Sequence, residues 1–270
     1  MDDAEIYGAD APLIDLAEFP SWILFEDVDL LVINKPGWVV CHPSKNGPLS
    51  SLVGAAREYT KLDMLHLVSR LDRETSGIVI LGKTKPTSRK MQISFEQRMV
   101  NKTYLTILHG EMKGTLEVSK PLGPDPASPV AVKQHIVKDF SGQKAQTTFI
   151  PLITRNGYTF ARAQPHTGRK HQIRAHALYS RHGVVGDKLY GADETLYLEF
   201  CEQGWTPRLA AALPMQRQAL HAWRVEFLSE TLPTYIAPLP KDFRDFLRDK
   251  VGVSDEELQQ HLETLERPRN

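Results

Sequence analysis

The sequence predicts an α+β fold built on a mixed, largely antiparallel β-sheet with flanking helices. Three observations predict it. Of 270 residues, 41% are hydrophobic and 24% charged, which suits a globular chain of one large or two small domains with a sizeable core. Short apolar runs recur from Trp22 onward, and several alternate with polar residues as half-wetted antiparallel strands do. Helical stretches separate these runs irregularly, whereas a doubly wound parallel sheet would alternate strand and helix strictly.

Residues 1–20 are acidic, carry Pro12 and Pro20 and hold no sustained period, so they read as a loosely held tail, with the fold starting near Trp22. Strands are expected at 22–25, 30–33, 38–40, 78–81, 103–108, 131–137, 147–153 and 158–163, where β-branched and aromatic residues concentrate. Helices are expected at 49–60, with Ser50 or Ser51 near the start, and at 87–98, where Met91, Phe95 and Met99 keep a four-residue stride. Two more are expected at 168–182 and 241–249. Ser254 and Glu257 form a capping box that opens an exposed, acidic terminal helix, so 251–270 reads as a tail beyond a main domain of 21–250. No internal repeat or low-complexity linker divides the chain.

Composition excludes several classes. No apolar stretch approaches the ~18 residues of a membrane span. The first thirty positions hold nine Asp or Glu and no Lys or Arg, the reverse of a signal or transit peptide, so the chain reads as cytoplasmic, without a membrane partner. Cys41 and Cys201 stand alone, which implies neither a disulfide framework nor a structural zinc site. Lys plus Arg equals Asp plus Glu at 33 each, but residues 31–190 carry 24 basic against 10 acidic side chains and eight of the ten His. Such a block supplies what phosphate neutralisation needs; it is equally a basic surface without a ligand, because linear segregation does not fix which face a charge occupies.

Gly77, Gly82, Lys83 and Thr84 fit a phosphate-loop pattern to the letter. The reading fails because Ile78, Val79, Ile80 and Leu81 between them are a strand-forming run, not a flexible cradle. Upstream, Asp72 sits between Arg70 and Arg73, with Glu74, Thr75 and Ser76 following. Guanidinium neighbours would keep that carboxylate ionised, as a nucleophile or base requires; the alternative is a surface ion-pair cluster. Residues 165–176 concentrate Arg169, Lys170, His171, Arg174 and His176 around Gly168 with no acid among them, like a turn feeding a helix that binds phosphate. His166, His171 and His176 recur every five residues, a spacing that rotates them by roughly 140° off any common helix face, so no metal site is expected. Tyr104, after Lys102 and Thr103, is either a half-buried strand aromatic or a stacking platform for a nucleobase.

Together these segments resemble the RluA-type RNA pseudouridine synthases from about Leu30 to Leu228. Residues 30–43 (LLVINKPGWVVCHP) look like that family's opening element, 69–84 (SRLDRETSGIVILGKT) like its catalytic loop and 102–110 (KTYLTILHG) like its aromatic strand. Residues 165–191, ending in GDKLYG, and 219–227 (ALHAWRVEF) are similar to its two closing elements. There are two departures. Ser69 stands where the family usually has His, and the segment before Leu30 leaves no room for the RNA-binding S4 module that many members carry.

The resemblance implies a cofactor-free, metal-free isomerisation of uridine to pseudouridine in structured transfer or ribosomal RNA. It makes Asp72 the essential carboxylate, Tyr104 the ring that packs on the base and assists proton removal, and Arg174 the ion-pair partner of Asp72. Arg70 would help displace the target base. Arg73, Thr75, Lys102, Arg169, Lys170, His171 and Ile173 are expected at the substrate. Breaking a glycosidic bond builds positive charge at C1′, which an anion beneath the sugar stabilises, and a hydrolase would need a second carboxylate, for which Glu74 is the nearby candidate. The base must leave any helical stack, so a loop uridine is expected. Lys83, Lys85, Arg89, Lys90, Arg98 and Arg181 join Lys102, Arg169 and Lys170 as candidates for gripping flanking phosphates. A monomer is expected. The competing reading is a non-catalytic RNA-assembly factor that uses the same basic groove.

Overall fold

The computed structural model describes residues 13–42, 47–138, 141–228 and 232–267. Residues 1–12 of the expected tail and Pro43 of the opening motif lie outside these. Among the described residues ten strands form one sheet: β1 (Ile23–Glu26), β2 (Leu30–Lys35), β3 (His66–Leu67), β4 (Ser76–Gly82), β5 (Val100–His109), β6 (Leu116–Ser119), β9 (Gln146–Arg155), β10 (Tyr158–Pro165), β11 (Leu220–Phe227) and β12 (Tyr235–Ile236). The short pair β7 (Leu122–Pro124) and β8 (Gln134–Ile136) stands apart. Strand order is β1-β2-β4-β11-β5-β10-β9-β6, with β3 on β4 and β12 on β11.

Every pairing is antiparallel except β4 with β11, whose contact is only His221 opposite Ser76 and Ala222 opposite Gly77. This parallel seam positions the site. Ala222 also faces Tyr104 across β5, so the loop that enters β4 and the aromatic of β5 flank the same residue of β11. Gly77 holds φ +109°, and a Cβ there would lie 2.3 Å from Ala222 O, so only glycine lets the strands meet this closely.

The run Ile78 to Leu81 is apolar throughout because both faces of β4 are covered. Val79 and Leu81, with Leu31 and Ile33 of β2, pack beneath α1 (Leu52–Thr60), which Ser51 caps by accepting from Gly54 N. Ile78 and Ile80, with Val32, pack on the other face beneath α2 (Lys85–Glu96) through Met91. Thr84 of the apparent phosphate loop is the cap of α2. The larger core lies under β5, β9 and β10, closed by α3 (Gln172–Tyr179) and by α6 (Lys241–Phe246) with the turn of π-helix after it.

Several expectations need correction. Residues 13–20 are not a loose tail: Ile14 and Phe19 are buried with α1, and Ile14 N donates to Leu49 O. Residues 38–40 form no strand, since Trp38 takes φ +76° in a turn. The expected 131–137 strand contracts to β8, and the 168–182 helix starts only at Gln172, because His171 holds φ +55°. Helices α4 (Thr195–Gln203) and α5 (Pro207–Ala212) were not expected. The terminal helix α7 (Asp255–Glu266) has its Ser254 cap but is no free tail: Leu258 is buried and Arg155 binds both oxygens of Glu257.

Candidate active site

The loop between β3 and β4 carries Asp72 and is fixed from behind by its own backbone. Lys35 at the end of β2 is fully buried and donates to Pro36 O, Val39 O and Arg73 O at 2.9, 2.8 and 3.1 Å. Burial pulls its pKa down to about 8. Cys41 Sγ meets both Leu71 N and Leu71 O at 3.4 Å. Asp72 O accepts from Thr75 N at 3.1 Å, closing the turn before β4.

In front, α3 presents Arg174. Its Nη1 donates to Asp72 Oδ2 at 2.9 Å, while Nε and Nη2 donate to Asp187 at 2.6 and 2.8 Å. Asp187 is itself held by the amides of Leu189 and Tyr190. The guanidinium lies 4.9 Å from the centre of the Tyr190 ring. Gln134 N donates to Tyr190 Oη, and Tyr190 Oη lies 3.0 Å from His171 Nδ1. With the phenol donating to Nδ1, the imidazole proton sits on Nε2, which is 3.9 Å from Asp72 Oδ1.

The electrostatics follow from this packing. Burial is the largest influence on Asp72 and works to raise its pKa, but Arg174, His171 and Gln218 together outweigh it and hold the carboxyl below its ordinary value. Burial, reinforced by Arg174, lowers His171 to about 4, so it is neutral at pH 7. Burial, then the Asp72 charge, pushes the Tyr104 phenol up, so it stays protonated. Among the described residues one anion therefore faces the cavity, beside a neutral imidazole and a neutral phenol.

The cavity measures about 310 Å³. Asp72, Arg70, Tyr104, Arg174, Thr75, Lys102, Arg169, Lys170, His171 and Ile173 all line it, with Leu71 and Leu220 as apolar walls. A groove of about 660 Å³ shares Arg70, Lys102, Tyr104 and Arg169 with it and runs on to Ser69, Phe95 and Arg98. Of the phosphate-gripping candidates, Arg98, Lys102 and Arg169 line this groove; Lys83 instead pairs with Glu26 at 2.6 Å.

Arg73 departs from the expectation. It lines neither cavity nor groove, because the turn at 73–74 carries its side chain behind the loop, where its charge bears on Cys201 and Lys35. Glu74 is no second cavity carboxylate either: it receives Lys188 Nζ at 3.0 Å on each oxygen and Gln218 N at 3.1 Å. The three histidines bond in separate directions, His166 to Thr148, His171 to Tyr190 and His176 to Thr147 and Lys120 O. Sequence reasoning missed Asp187, Tyr190, Lys188 and Gln218. Three of these sit within the GDKLYG segment, whose acid so close after Arg174 was the available signal.

Residues 29–179 match the family model described as RNA pseudouridylate synthase. The chain belongs to that family. It is 31% identical over 239 residues to an uncharacterized RNA pseudouridine synthase, YjbO, of Bacillus subtilis, covering 85% of this chain and 76% of that one. It is 32% identical over 238 residues to ribosomal large subunit pseudouridine synthase D of Xylella fastidiosa, covering 85% and 69%. Among solved structures, human RNA pseudouridylate synthase domain containing 4 superposes with a TM-score of 0.68 at 25% identity, covering 86% of this chain and 94% of that one. Human RNA pseudouridylate synthase domain containing 1, at TM-score 0.65 and 22% identity over 92% and 96%, shares the fold. The synthase isomerises uridine in RNA to pseudouridine. These likenesses give no support to a non-catalytic assembly role.

Proposed function

We propose that Asp72 is the essential carboxylate of this synthase and that Arg174, itself anchored by Asp187, aims it at the target nucleotide. The observation that carries this reading is that Asp72 is, among the described residues, the one anion facing a cavity walled by Tyr104, Leu71, Ile173 and Leu220. The reaction breaks N1–C1′, forms C5–C1′, moves a proton off C5 and places one on N1. One carboxylate serves both halves, because the detached base stays as the acceptor and apolar walls keep water away. Asp72 meets the positive charge developing at C1′ or adds to sugar or base. Tyr104 packs on the uracil and assists proton transfer at C5. Arg70, at the junction of cavity and groove, takes the place of the extruded base, while Thr75, Lys102, Arg169, Lys170, His171 and Ile173 contact the nucleotide.

The substrate we infer is a loop uridine of large-subunit ribosomal RNA, on the strength of relatives named for that activity. Transfer RNA is the runner-up. Incubation of purified synthase with each RNA, followed by carbodiimide primer extension, tests this: new stops in large-subunit RNA support it, and stops confined to transfer RNA refute it. We read the synthase as a cytoplasmic monomer needing no cofactor. Among the described residues no helix is long and apolar enough to cross a membrane.

A further inference from the structure

Asp187 and Lys188 are neighbours in sequence, yet they serve two different residues of the Asp72 loop. Asp187 orients Arg174, which holds Asp72; Lys188 holds Glu74, two positions further along. Lys188 is 1% exposed. Its ammonium donates to both Glu74 oxygens and to Gln216 O, and lies 4.4, 5.0 and 5.5 Å from the ring centres of Phe200, Trp38 and Trp205. Three aromatic faces on one buried ammonium form a cation–π cage.

Holding this cage costs backbone strain. Trp38 sits at φ +76°, a region that a bulky aromatic rarely occupies, and such outliers persist only where surrounding contacts enforce them. The neighbouring Gly37 lies close against Arg217, since a Cβ there would come within 2.6 Å of Arg217 Cδ. Arg217 in turn donates to Glu74 O and to both oxygens of Asp242. Glu74 is thus fixed by side chain and carbonyl alike, and Gln218 completes the grip through Glu74 and Thr75. Leu196, Phe200 and Leu209 of α4 and α5 supply the wall behind Trp38 and Trp205.

The geometry assigns Lys188, seated in the cage of Trp38, Phe200 and Trp205, as a positioning residue that sets the place of Asp72 in the cavity by fixing Glu74. It touches no reacting atom. The inference rests on Asp72 being the essential carboxylate, and displacement of a reacting group by about 1 Å can cost on the order of a hundredfold in rate.

The test measures single-turnover pseudouridine formation, RNA Kd and thermal melting for Lys188→Met, Glu74→Gln, the double variant and Asp72→Asn. Lys188→Met should lose at least about tenfold in rate with Kd within about twofold, and the double variant should be no slower than the slower single. A folded Lys188→Met with wild-type rate, a loss confined to Kd, or multiplying single losses would overturn the assignment. Should Lys188→Met not fold, half-buried Trp205 decides: Trp205→Leu should slow the reaction about threefold and Trp205→Phe restore it, whereas equal rates refute it. An active Asp72→Asn would sink the underlying reading as well; an inactive one beside a fully active Lys188→Met would sink this inference alone.

Discussion

Asp187 takes Nε and Nη2 of Arg174 at 2.6 and 2.8 Å, leaving Nη1 as the nitrogen that reaches Asp72. The guanidinium plane is therefore set by a carboxylate that does not line the cavity, and the one that faces the cavity is a guest on a preformed fork. Removing Asp187 leaves a buried guanidinium half-paired. Asp187→Ala should cost about 3 kcal/mol or more in urea unfolding and most of the turnover. A loss below 1 kcal/mol, on the order of a surface pair, would contradict the arrangement.

Stability should fall as the solution is acidified from pH 6.5 to 4. His221, fully buried, bonds Ser76 and Ala237 O, and burial lowers its pKa to about 4, as it does for His171. The folded state holds fewer protons than the unfolded chain in that window, so unfolding is favoured as protons are added. Asp72 and Asp187, whose values are depressed, lose their contribution only at lower pH. His221 alone should account for on the order of 3 kcal/mol across the window. Melting curves of wild type and His221→Gln from pH 7 to 4.5 check this, and the variant should show the shallower decline.

Gly77→Ala should prevent folding or leave a grossly destabilised chain. Its φ of +109° and the 2.3 Å approach to Ala222 O leave no room for a methyl group, and the obstacle is backbone. Circular dichroism of the purified variant measures it. A cooperative transition within a few degrees of wild type would refute the close seam.

The groove should carry phosphate. Arg98→Ala and Arg169→Ala should each weaken RNA binding and lower the slope of log Kobs against log salt by about 0.7, and Arg98→Ala, which lies outside the cavity, should preserve the single-turnover rate at saturating RNA. An unchanged slope in both would place the RNA strand elsewhere.

Asp72 between two arginines and the acid-free stretch around Arg174 stand out locally, but only the family resemblance separated Asp72 from a surface ion pair and Tyr104 from an ordinary strand aromatic; all three reach one cavity. Arg174 had two possible carboxylate partners, 102 and 13 residues away, and sequence could not show that both are used. Arg73 could not be told from Arg70, because only the fold shows that the turn at 73–74 takes Arg73 away from the cavity that Arg70 lines. Trp38-Val39-Val40 has strand composition, yet Trp38 takes φ +76° in a turn that leaves the sheet. Ile14 and Phe19 are too widely spaced to show a period, so their burial depended on the face that α1 leaves open. In α4 and α5 the buried apolar residues are only Leu196, Phe200 and Leu209, too few over two short helices to mark them by a sustained period.

The most direct measurement is pseudouridine formation by Asp72→Asn at saturating RNA, read as carbodiimide-dependent primer-extension stops. The substitution keeps the shape of the side chain and removes its charge. The account predicts no product over many wild-type half-lives, with RNA Kd and melting temperature close to wild type. Product formed at a rate within tenfold of wild type, on the order of a single lost hydrogen bond, would contradict it.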